Sequence, residues 1–190
     1  MDFLKLFGRC SDVKDSLEQA RSRLYRMAYA WCHNRALADD LVQETLTKAM
    51  QKSEQLRDPK ARDAWLFSIL TNCYRDHFRR HRETEDIDEM ELPHDSTPET
   101  ENSQIEIVRK VRATIARLPE GQRQVITLVD LEGFSYVEVA KVLDIPVGTV
   151  MSRLCRARST MLRLLATEFG SPEALKAAGT RQDANIRRIK

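Results

Sequence analysis

The carboxy-terminal half of the chain is organised by one stretch, Gly133–Leu165, which reads GFSYVEVAKVLDIPVGTVMSRLCRARSTMLRLL. Ser135 and Glu138 form an S-x-x-E capping box, in which the hydroxyl and the carboxylate each satisfy a backbone donor at the start of a helix. That helix should end near Leu143, because Pro146 interrupts the helical pattern and proline tolerates the first turn of a new helix. The stretch therefore predicts a helix-turn-helix.

The second helix of this pair has an apolar face and a polar face. Apolar residues recur every three or four positions along it, at Val150, Leu154, Ala157, Met161 and Leu164. The open face then carries Thr149, Ser152, Arg153, Arg156 and Arg163. A hairpin with a solvated basic side is the commoner meaning of scattered arginines. The coincidence of capping box, proline turn and arginine face instead favours a helix that enters the major groove of DNA.

A longer segment that includes this motif resembles part of a known protein family. Leu118–Arg158, LPEGQRQVITLVDLEGFSYVEVAKVLDIPVGTVMSRLCRAR, resembles the promoter-binding carboxy-terminal region of the extracytoplasmic-function sigma factors. These are small bacterial subunits that direct RNA polymerase to promoters. The resemblance implies that the minus-thirty-five element is contacted by Thr149, Ser152, Arg153 and Arg156.

Charge divides the 190-residue chain into three parts. Counting Lys and Arg against Asp and Glu, residues 1–82 hold 16 basic and 11 acidic side chains, and residues 107–190 hold 15 and 8. Residues 83–106 hold 10 acidic side chains and no basic one, and Pro93 and Pro98 interrupt them. Two basic lobes suit nucleic acid, and the acidic strip between them suits a solvated linker.

Two amphipathic helices are predicted in the first lobe, one from about Asp12 to Trp31 and one from about Ala36 to Gln51. The second carries an acidic and amide face, formed by Asp39, Asp40, Gln43 and Glu44. On composition alone this face reads as acidic residues in a first helical turn, which complement the helix dipole. However, Ala36–Met50, ALADDLVQETLTKAM, resembles the sigma-factor helix that docks on the clamp coiled coil of polymerase. The resemblance implies that these four residues bind core RNA polymerase.

A polar loop at Gln55–Asp63 should lead into a further helix at Ala64–Arg80. Asn72, Arg75 and Arg79 share one side of that helix, and a basic stripe mixed with Asn, Tyr74 and Phe78 suits single-stranded nucleic acid. A merely solvated basic face is an equal alternative from this helix alone. The helix also resembles the promoter-melting helix of the family, which implies that the minus-ten element is bound by Lys60, Arg62, Asn72, Arg75 and Arg79.

The predicted fold is all-α, with two small helical domains joined by an acidic flexible linker. The expected parts are an N-terminal sigma region 2-like domain at 1–82, the linker at 83–104, a C-terminal region 4-like helix-turn-helix domain at 105–168, and a disordered basic tail at 169–190. Within the second domain, helices are expected from Ile105 to Leu118 and from Gly121 to Leu131, with Gly133 as a left-handed cap.

Several classes of function are disfavoured by the sequence. There is no glycine-rich phosphate loop and no nucleophile–base grouping, so we do not expect an enzyme, and no cofactor is indicated. The four cysteines form no C-x-x-C pair, although Cys73 and His77, with Cys32 and His33, leave a metal or redox site conceivable. No apolar run approaches a membrane span or signal peptide, so a cytoplasmic protein is expected.

The resulting hypothesis is a sigma factor that binds core RNA polymerase and promoter DNA, both as duplex and as a melted single strand. The resemblance implies control by an anti-sigma factor, which in that family is often membrane-anchored. One alternative is a helix-turn-helix regulator that binds only duplex DNA and dimerises through its first lobe. Another is a decoy that binds an anti-sigma factor without initiating transcription, which the matches at Asp40, Gln43 and Glu44 disfavour.

Overall fold

A computed structural model describes residues 13–56, 58–84 and 103–169 of the chain, and every regular element among them is helical. The α-helices are α1 (Val13–Cys32), α2 (Arg35–Gln51), α3 (Arg62–Thr84), α4 (Ser103–Ala116), α5 (Glu120–Ile126), α6 (Tyr136–Leu143) and α7 (Val147–Phe169). Two 3₁₀ turns, Ser53–Gln55 and Pro59–Ala61, precede α3, and a π-helical segment, Thr127–Leu131, follows α5. Of these helices, none is long and apolar enough to span a membrane. The predicted all-α class is confirmed.

The N-lobe, residues 13–84, is a three-helix unit in which α2 packs against both α1 and α3. Its core is filled by large apolar side chains, all at most 2% exposed: Leu24, Met27, Trp31, Leu41, Val42, Leu66, Phe67 and Leu70. Fully burying such a side chain stabilises the fold by about 1.5–3 kcal/mol. The helices are therefore held by their packed faces more than by propensity.

The turn between α1 and α2 is tight and polar. His33 adopts a left-handed φ of 54°, and its N–H donates to the carbonyl of Tyr29 at 2.8 Å. Asn34 then caps α2, since its side chain accepts from the backbone N–H of Leu37. The helix begins at Arg35, which leaves its first turn without acidic residues. The alternative interpretation, in which the acidic residues lie in the first turn and complement the helix dipole, therefore does not hold.

The segment before α3 is more ordered than a loop. Asp58 accepts from the backbone N–H of Lys60 at 2.9 Å, and Pro59 starts a 3₁₀ turn that runs directly into α3. The helix begins two residues earlier and ends four residues later than predicted, at Thr84. Because α4 begins at Ser103, both ends of the predicted linker are helical. The rest of that linker and almost all of the predicted tail lie outside the described residues.

The C-lobe, residues 103–169, contains the predicted helix-turn-helix. The Ser135 hydroxyl accepts from the N–H of Glu138 at 3.3 Å, and the Glu138 carboxylate accepts from the N–H of Ser135 at 2.9 Å. The turn between α6 and α7 opens on Asp144, which adopts a left-handed φ of 49°. On α7, the predicted apolar face is buried at Val150, Leu154 and Ala157 and half-buried at Met161 and Leu164.

The predicted helix from Gly121 to Leu131 changes character half-way. After Ile126 the backbone opens into the π-helical segment, whose widened turn is marked by a 3.2 Å bond from the N–H of Glu132 to the carbonyl of Thr127. The Thr127 hydroxyl donates to carbonyls of the preceding turn, a contact that perturbs regular helical bonding. Gly133 then ends the segment with a φ of 76°, as predicted.

The two lobes pack directly against each other. α6 lies on α3, and α1 contacts α4 and α5, so that buried residues of both lobes form one continuous apolar core. The rings of Phe67 and Phe134 meet edge to face across this boundary, with centroids 5.2 Å apart. The helix-turn-helix is therefore fixed in position against the helices of the N-lobe.

Loss of the capping box should weaken the C-lobe measurably. We expect Ser135→Ala to lower the free energy of unfolding by about 1 kcal/mol, because the substitution leaves a donor at the start of α6 without its partner. Urea denaturation followed by circular dichroism would measure this difference. Ser159→Ala, at an exposed position in the interior of α7, serves as the control and should change stability by only a few tenths of a kcal/mol. An equal effect of both substitutions would contradict the capping role.

Candidate polymerase-binding and DNA-binding surfaces

The acidic face of α2 points away from the core. Asp40 and Gln43 are exposed, while Asp39 and Glu44 are half-buried. The Asp39 carboxylate lies 3.4 Å from Arg21, and the Glu44 carboxylate lies 2.9 Å from Lys48. Exposed ion pairs of this kind stabilise a fold by only about 0–1 kcal/mol. The four predicted residues therefore form one surface. Its ion pairs with Arg21 and Lys48 can be replaced by contacts with another protein at little cost in stability.

The opposite side of α2 holds this surface rigid. Ala38, Leu41 and Val42 are at most 1% exposed, and the Thr45 hydroxyl donates to the carbonyl of Leu41 at 2.7 Å. Every position facing the core is filled by an apolar residue or by a polar residue whose hydrogen bond is satisfied locally. Because the buried side of α2 is packed in this way, its acidic face can contact a partner while the backbone of the helix stays in place.

On α3 the three predicted minus-ten residues occupy one side of the helix and have different surroundings. Asn72 is exposed. The guanidinium of Arg79 is 71% exposed and pairs with Asp76 at 3.1 Å. The guanidinium of Arg75 instead donates to the backbone carbonyl of Leu143, at the end of α6. All three side chains are exposed, and Arg75 is in addition engaged with the other lobe.

The prediction that Tyr74 belongs to the surface that binds single-stranded nucleic acid is wrong. That residue is only 4% exposed, and its hydroxyl donates to the carbonyl of Trp31. The pKa of Tyr74 is raised mainly by burial of its hydroxyl. The phenol therefore stays protonated and continues to donate its hydrogen bond to Trp31. Phe78 is half-buried against the same ring, with centroids 4.6 Å apart. Tyr74 is therefore a core residue and cannot serve as a stacking platform for bases.

The two predicted residues before α3 differ from each other. Lys60 is exposed on the 3₁₀ turn, whereas Arg62 is half-buried and holds the Asp63 carboxylate at 2.9 Å. Arg23 also binds Asp63. Burial alone would raise the pKa of Asp63, but the hydrogen bonds from Arg23 and Arg62 outweigh it and lower that pKa. Arg62 therefore anchors the start of α3, and Lys60 is the residue that faces solvent.

On α7, the face opposite the buried apolar side carries the four predicted minus-thirty-five residues, all of which are at least partly accessible to solvent. Arg156 is exposed, while Thr149, Ser152 and Arg153 are half-buried. The Ser152 hydroxyl donates to the carbonyl of Thr149 at 3.1 Å. The Arg153 guanidinium lies over Gly121, where a Cβ would come within 2.9 Å of its Nη1 atom. The absent side chain of Gly121 thus provides the space that Arg153 occupies.

Both lobes match known families. The N-lobe matches Sigma-70 region 2 over residues 17–84, and the C-lobe matches Sigma-70 region 4 over residues 109–161. The ECF RNA polymerase sigma factor EcfG of Rhodopseudomonas palustris is 35% identical over 170 residues, covering 87% of this chain and 93% of that one. The chain belongs to the extracytoplasmic-function sigma factors.

Other relatives agree with this assignment. The ECF sigma-E factor of Haemophilus influenzae is 39% identical over 131 residues, or 63% of this chain and 69% of that one. The solved sigma factor RpoE of Bartonella quintana, in complex with the anti-sigma factor NepR, has a TM-score of 0.65 and 29% identity, and covers 81% of this chain and 96% of that one. CnrH, in complex with the cytosolic domain of CnrY, has a TM-score of 0.60 and 27% identity, and covers 87% and 95%.

Membership of this family decides between the functions considered above. As a sigma factor the chain binds core RNA polymerase and promoter DNA, and it is a transcription factor rather than an enzyme. The alternative of a regulator whose first lobe only dimerises is set aside, because that lobe is a sigma region 2. Sigma factors act on RNA polymerase in the cytoplasm.

The cysteines of this sigma factor are distributed among different environments. Cys73 is buried, and burial raises the pKa of its thiol, whereas the Cys32 thiol donates to the carbonyl of Asn34. Cys155 is exposed on α7. Across the described ranges, no group of three or more His, Cys, Asp or Glu side chains could hold a metal ion. The conceivable site around Cys73 and His77 is not assembled there.

Long-range contacts, two between the lobes and one within the C-lobe, were missed by sequence reasoning. Arg123 donates to the carbonyl of Trp31 at 2.6 Å, and Arg23 donates to Glu132 at 2.7 Å. Arg158, on α7, donates through two nitrogens to Asp130 in the π-helical segment. These partners are 28 to 109 positions apart in the sequence. No local spacing signals such pairs.

Proposed function

We propose that this sigma factor docks on core RNA polymerase through the acidic face of α2, reads the minus-thirty-five element with α7 and captures minus-ten bases with α3. The observation that carries the assignment is that each predicted surface presents residues to solvent on a rigid helix. Asp40 and Gln43 do so on α2, Asn72 on α3 and Arg156 on α7. Within this scheme residues 1–82 and 105–168 act as the two binding domains.

The chemistry of each surface fits its role. Carboxylate and amide groups on α2 complement a basic protein partner. Asn72 offers an amide that can donate to and accept from a base edge, and Arg79 and Lys60 can hold phosphates. Residues near the start of a recognition helix approach base edges in the major groove. Thr149, Ser152 and Arg153 occupy that part of α7, so they are assigned to the bases, and Arg156 is assigned to the adjoining backbone.

Regulation by an anti-sigma factor is part of the proposal. It is supported by the solved relative RpoE, which is bound to the anti-sigma factor NepR, and CnrH is likewise bound to another protein, the cytosolic domain of CnrY. The corresponding partner of this chain would keep the sigma factor from polymerase in the cytoplasm, either as a soluble protein or from a membrane anchor. Transcription by core enzyme plus this protein on genomic DNA tests the whole scheme. A decoy would bind an anti-sigma factor but yield no transcripts.

Reversing one charge on α2 should weaken docking on the polymerase. We expect Asp40→Lys to lower affinity for core enzyme about five- to tenfold, since like charges across an interface repel. Competition for core enzyme against a reference sigma factor measures the effect. Glu18→Lys makes the same charge change at an exposed position of α1 and should leave affinity unchanged. Equal losses in both variants would contradict docking through α2.

Asn72→Ala should impair promoter melting and spare the earlier steps. A lost base contact of about 1–3 kcal/mol predicts a reduction in open complex of about fivefold or more, measured by permanganate reactivity of unpaired thymines. A template with a preformed bubble should recover much of the melting, because the base no longer has to be unstacked by the protein. Gln19→Ala, an exposed amide on α1, is the control. Melting at the wild-type rate would leave α3 as a basic docking surface only.

The two arginines of α7 should behave differently. Arg153→Ala is expected to flatten preference at one or two positions of the minus-thirty-five element, because a base-reading arginine contributes about 1–3 kcal/mol of discrimination. Arg156→Ala should weaken binding to all sequences and reduce the salt dependence by about one unit of slope. Selection on randomised duplexes with the holoenzyme separates these outcomes. Arg163→Ala, two turns beyond Arg156, should leave the preference unchanged, and an identical profile for all three would refute the assignment.

A further inference from the structure

We propose that Met151 is a further specificity-determining residue of this sigma factor, which reads the 5-methyl group of a thymine in the minus-thirty-five element through apolar contact. The inference rests on the proposed function of α7 as the helix that reads this element. It adds a kind of recognition that the arginines of α7 cannot provide, because arginine reads hydrogen-bond acceptors on base edges.

Met151 is the larger of two exposed side chains at the end of α7 that approaches DNA. Residues near the start of a recognition helix lie closest to base edges. In the first two turns of α7, residues 147–153, only Val147, Gly148 and Met151 are exposed, whereas the other four positions are buried or half-buried. The exposed fraction is 54% for Met151 and 38% for Val147. The exposed side chains at this end of the helix are therefore apolar.

The polar residues of the same two turns are engaged within the chain. The Ser152 hydroxyl donates to the carbonyl of Thr149 at 3.1 Å, and the Arg153 guanidinium lies over Gly121 of α5. Met151 and Arg153 are two positions apart, which places them about 160° apart around the helix axis. They therefore face opposite walls of a groove, with Ser152 between them, and their contacts with DNA can be distinguished.

The chemistry of its side chain limits what Met151 can recognise. A thioether has no hydrogen-bond donor, and its sulfur is only a weak acceptor. It therefore cannot match the donors and acceptors of a base edge, whereas thymine presents a methyl group in the major groove that apolar side chains contact. The unbranched side chain of methionine also adapts its shape to such a group. Met151 at this position thus favours thymine.

Exposure alone would not assign a role, because single apolar residues are common on protein surfaces. Met151 differs in that Val147 and Cys155, one turn to either side of it, are exposed as well, so that the three form an apolar strip along one flank of α7. Leu162, 59% exposed, lies on the same flank three turns beyond Met151, roughly 16 Å further along the axis. That distance separates it from bases contacted by the helix start and makes it a matched control.

Removal of single methyl groups tests the assignment. The minus-thirty-five element is first obtained by selection on randomised duplexes with the wild-type holoenzyme. Each thymine of either strand is then replaced in turn by uracil, which keeps base pairing and lacks only the 5-methyl group. Binding to each duplex is measured for holoenzymes of the wild type, Met151→Ala and Leu162→Ala. Both positions are exposed and alanine favours helix, so the variants should stay folded, which circular dichroism checks.

In the wild type, uracil at one or two positions should weaken binding about three- to fourfold, the effect expected when one methyl group loses an apolar contact. Met151→Ala should bind the thymine duplex less tightly by a similar factor and should no longer respond to uracil at those positions. Leu162→Ala should respond as the wild type does. The non-additivity of the two changes isolates the contact between Met151 and the methyl group.

Two further measurements separate apolar contact from other effects. Met151→Leu keeps an apolar side chain of similar volume and should keep the response to uracil, whereas Met151→Gln, of similar length but polar, should lose it. In a duplex with cytosine in place of the sensitive thymine, methylation of that cytosine at C5 restores the methyl group. Binding should then recover about threefold in the wild type and remain unchanged in Met151→Ala.

The assignment is overturned if the selected element has no thymine on either strand, if no uracil substitution weakens wild-type binding, or if Met151→Ala responds to uracil as the wild type does. It is also overturned if Met151→Ala lowers affinity for core enzyme and leaves the response to uracil intact, since the apolar strip would then contact a protein. Failure of the proposed function looks different: Arg153→Ala and Arg156→Ala would then also leave binding and sequence preference unchanged.

Discussion

The buried hydrogen bond from the Trp31 indole to Thr127 is the contact on which the arrangement of the whole described chain depends. Trp31 lies in the last turn of α1, and the centroid of its ring is 5.6 Å from that of Tyr74 of α3, in an edge-to-face arrangement. Its backbone carbonyl accepts from both Tyr74 and Arg123. One residue therefore connects three helices of two lobes. The acceptor, Thr127, opens the π-helical segment, and such widened turns recur at functional positions of helices.

A second constraint is the separation of packing from binding. In each lobe the faces that determine the fold are apolar, and the faces assigned to partners are polar and joined to neighbours by exposed pairs. The ion pairs of Asp39 and Glu44 contribute little to stability, so breaking them on docking lowers the free energy of unfolding only slightly. Arg62 and Asp63 show the opposite case, since their pair orients the start of α3 and is shared with Arg23.

Local features of the fold were predictable from the sequence because their causes are local. The capping box at Ser135, the proline turn and the glycine at 133 each follow from residues within a few positions. The buried face of α7 followed from helical spacing. Tyr74 was misassigned, because spacing on an isolated helix cannot show that Trp31 of α1 packs against its ring. The contacts of Arg75, Arg123 and Glu132 with distant residues were invisible for the same reason.

The candidate binding surfaces were predictable where the residues that match the family pattern are also exposed in the structure. Asp40, Gln43, Asn72 and Arg156 are accessible where the family pattern expects contacts. Arg62 and Arg75 have the right residue type but are already engaged, and only three-dimensional structure shows this. An arginine that must release a partner before it binds DNA contributes less affinity than its charge suggests, because the lost contact is subtracted from the gained one.

Gly121 illustrates how a residue without a side chain can shape recognition. The Arg153 guanidinium rests on the backbone of Gly121 at the start of α5, in space that a Cβ would invade. An arginine held in this way loses less conformational freedom on binding than one that extends freely into solvent. Its direction relative to α7 is also limited by α5. Under the proposed assignment of Arg153 to the bases, specificity at the minus-thirty-five element would depend on the packing of α5 against α7 as well as on the residues of the recognition helix.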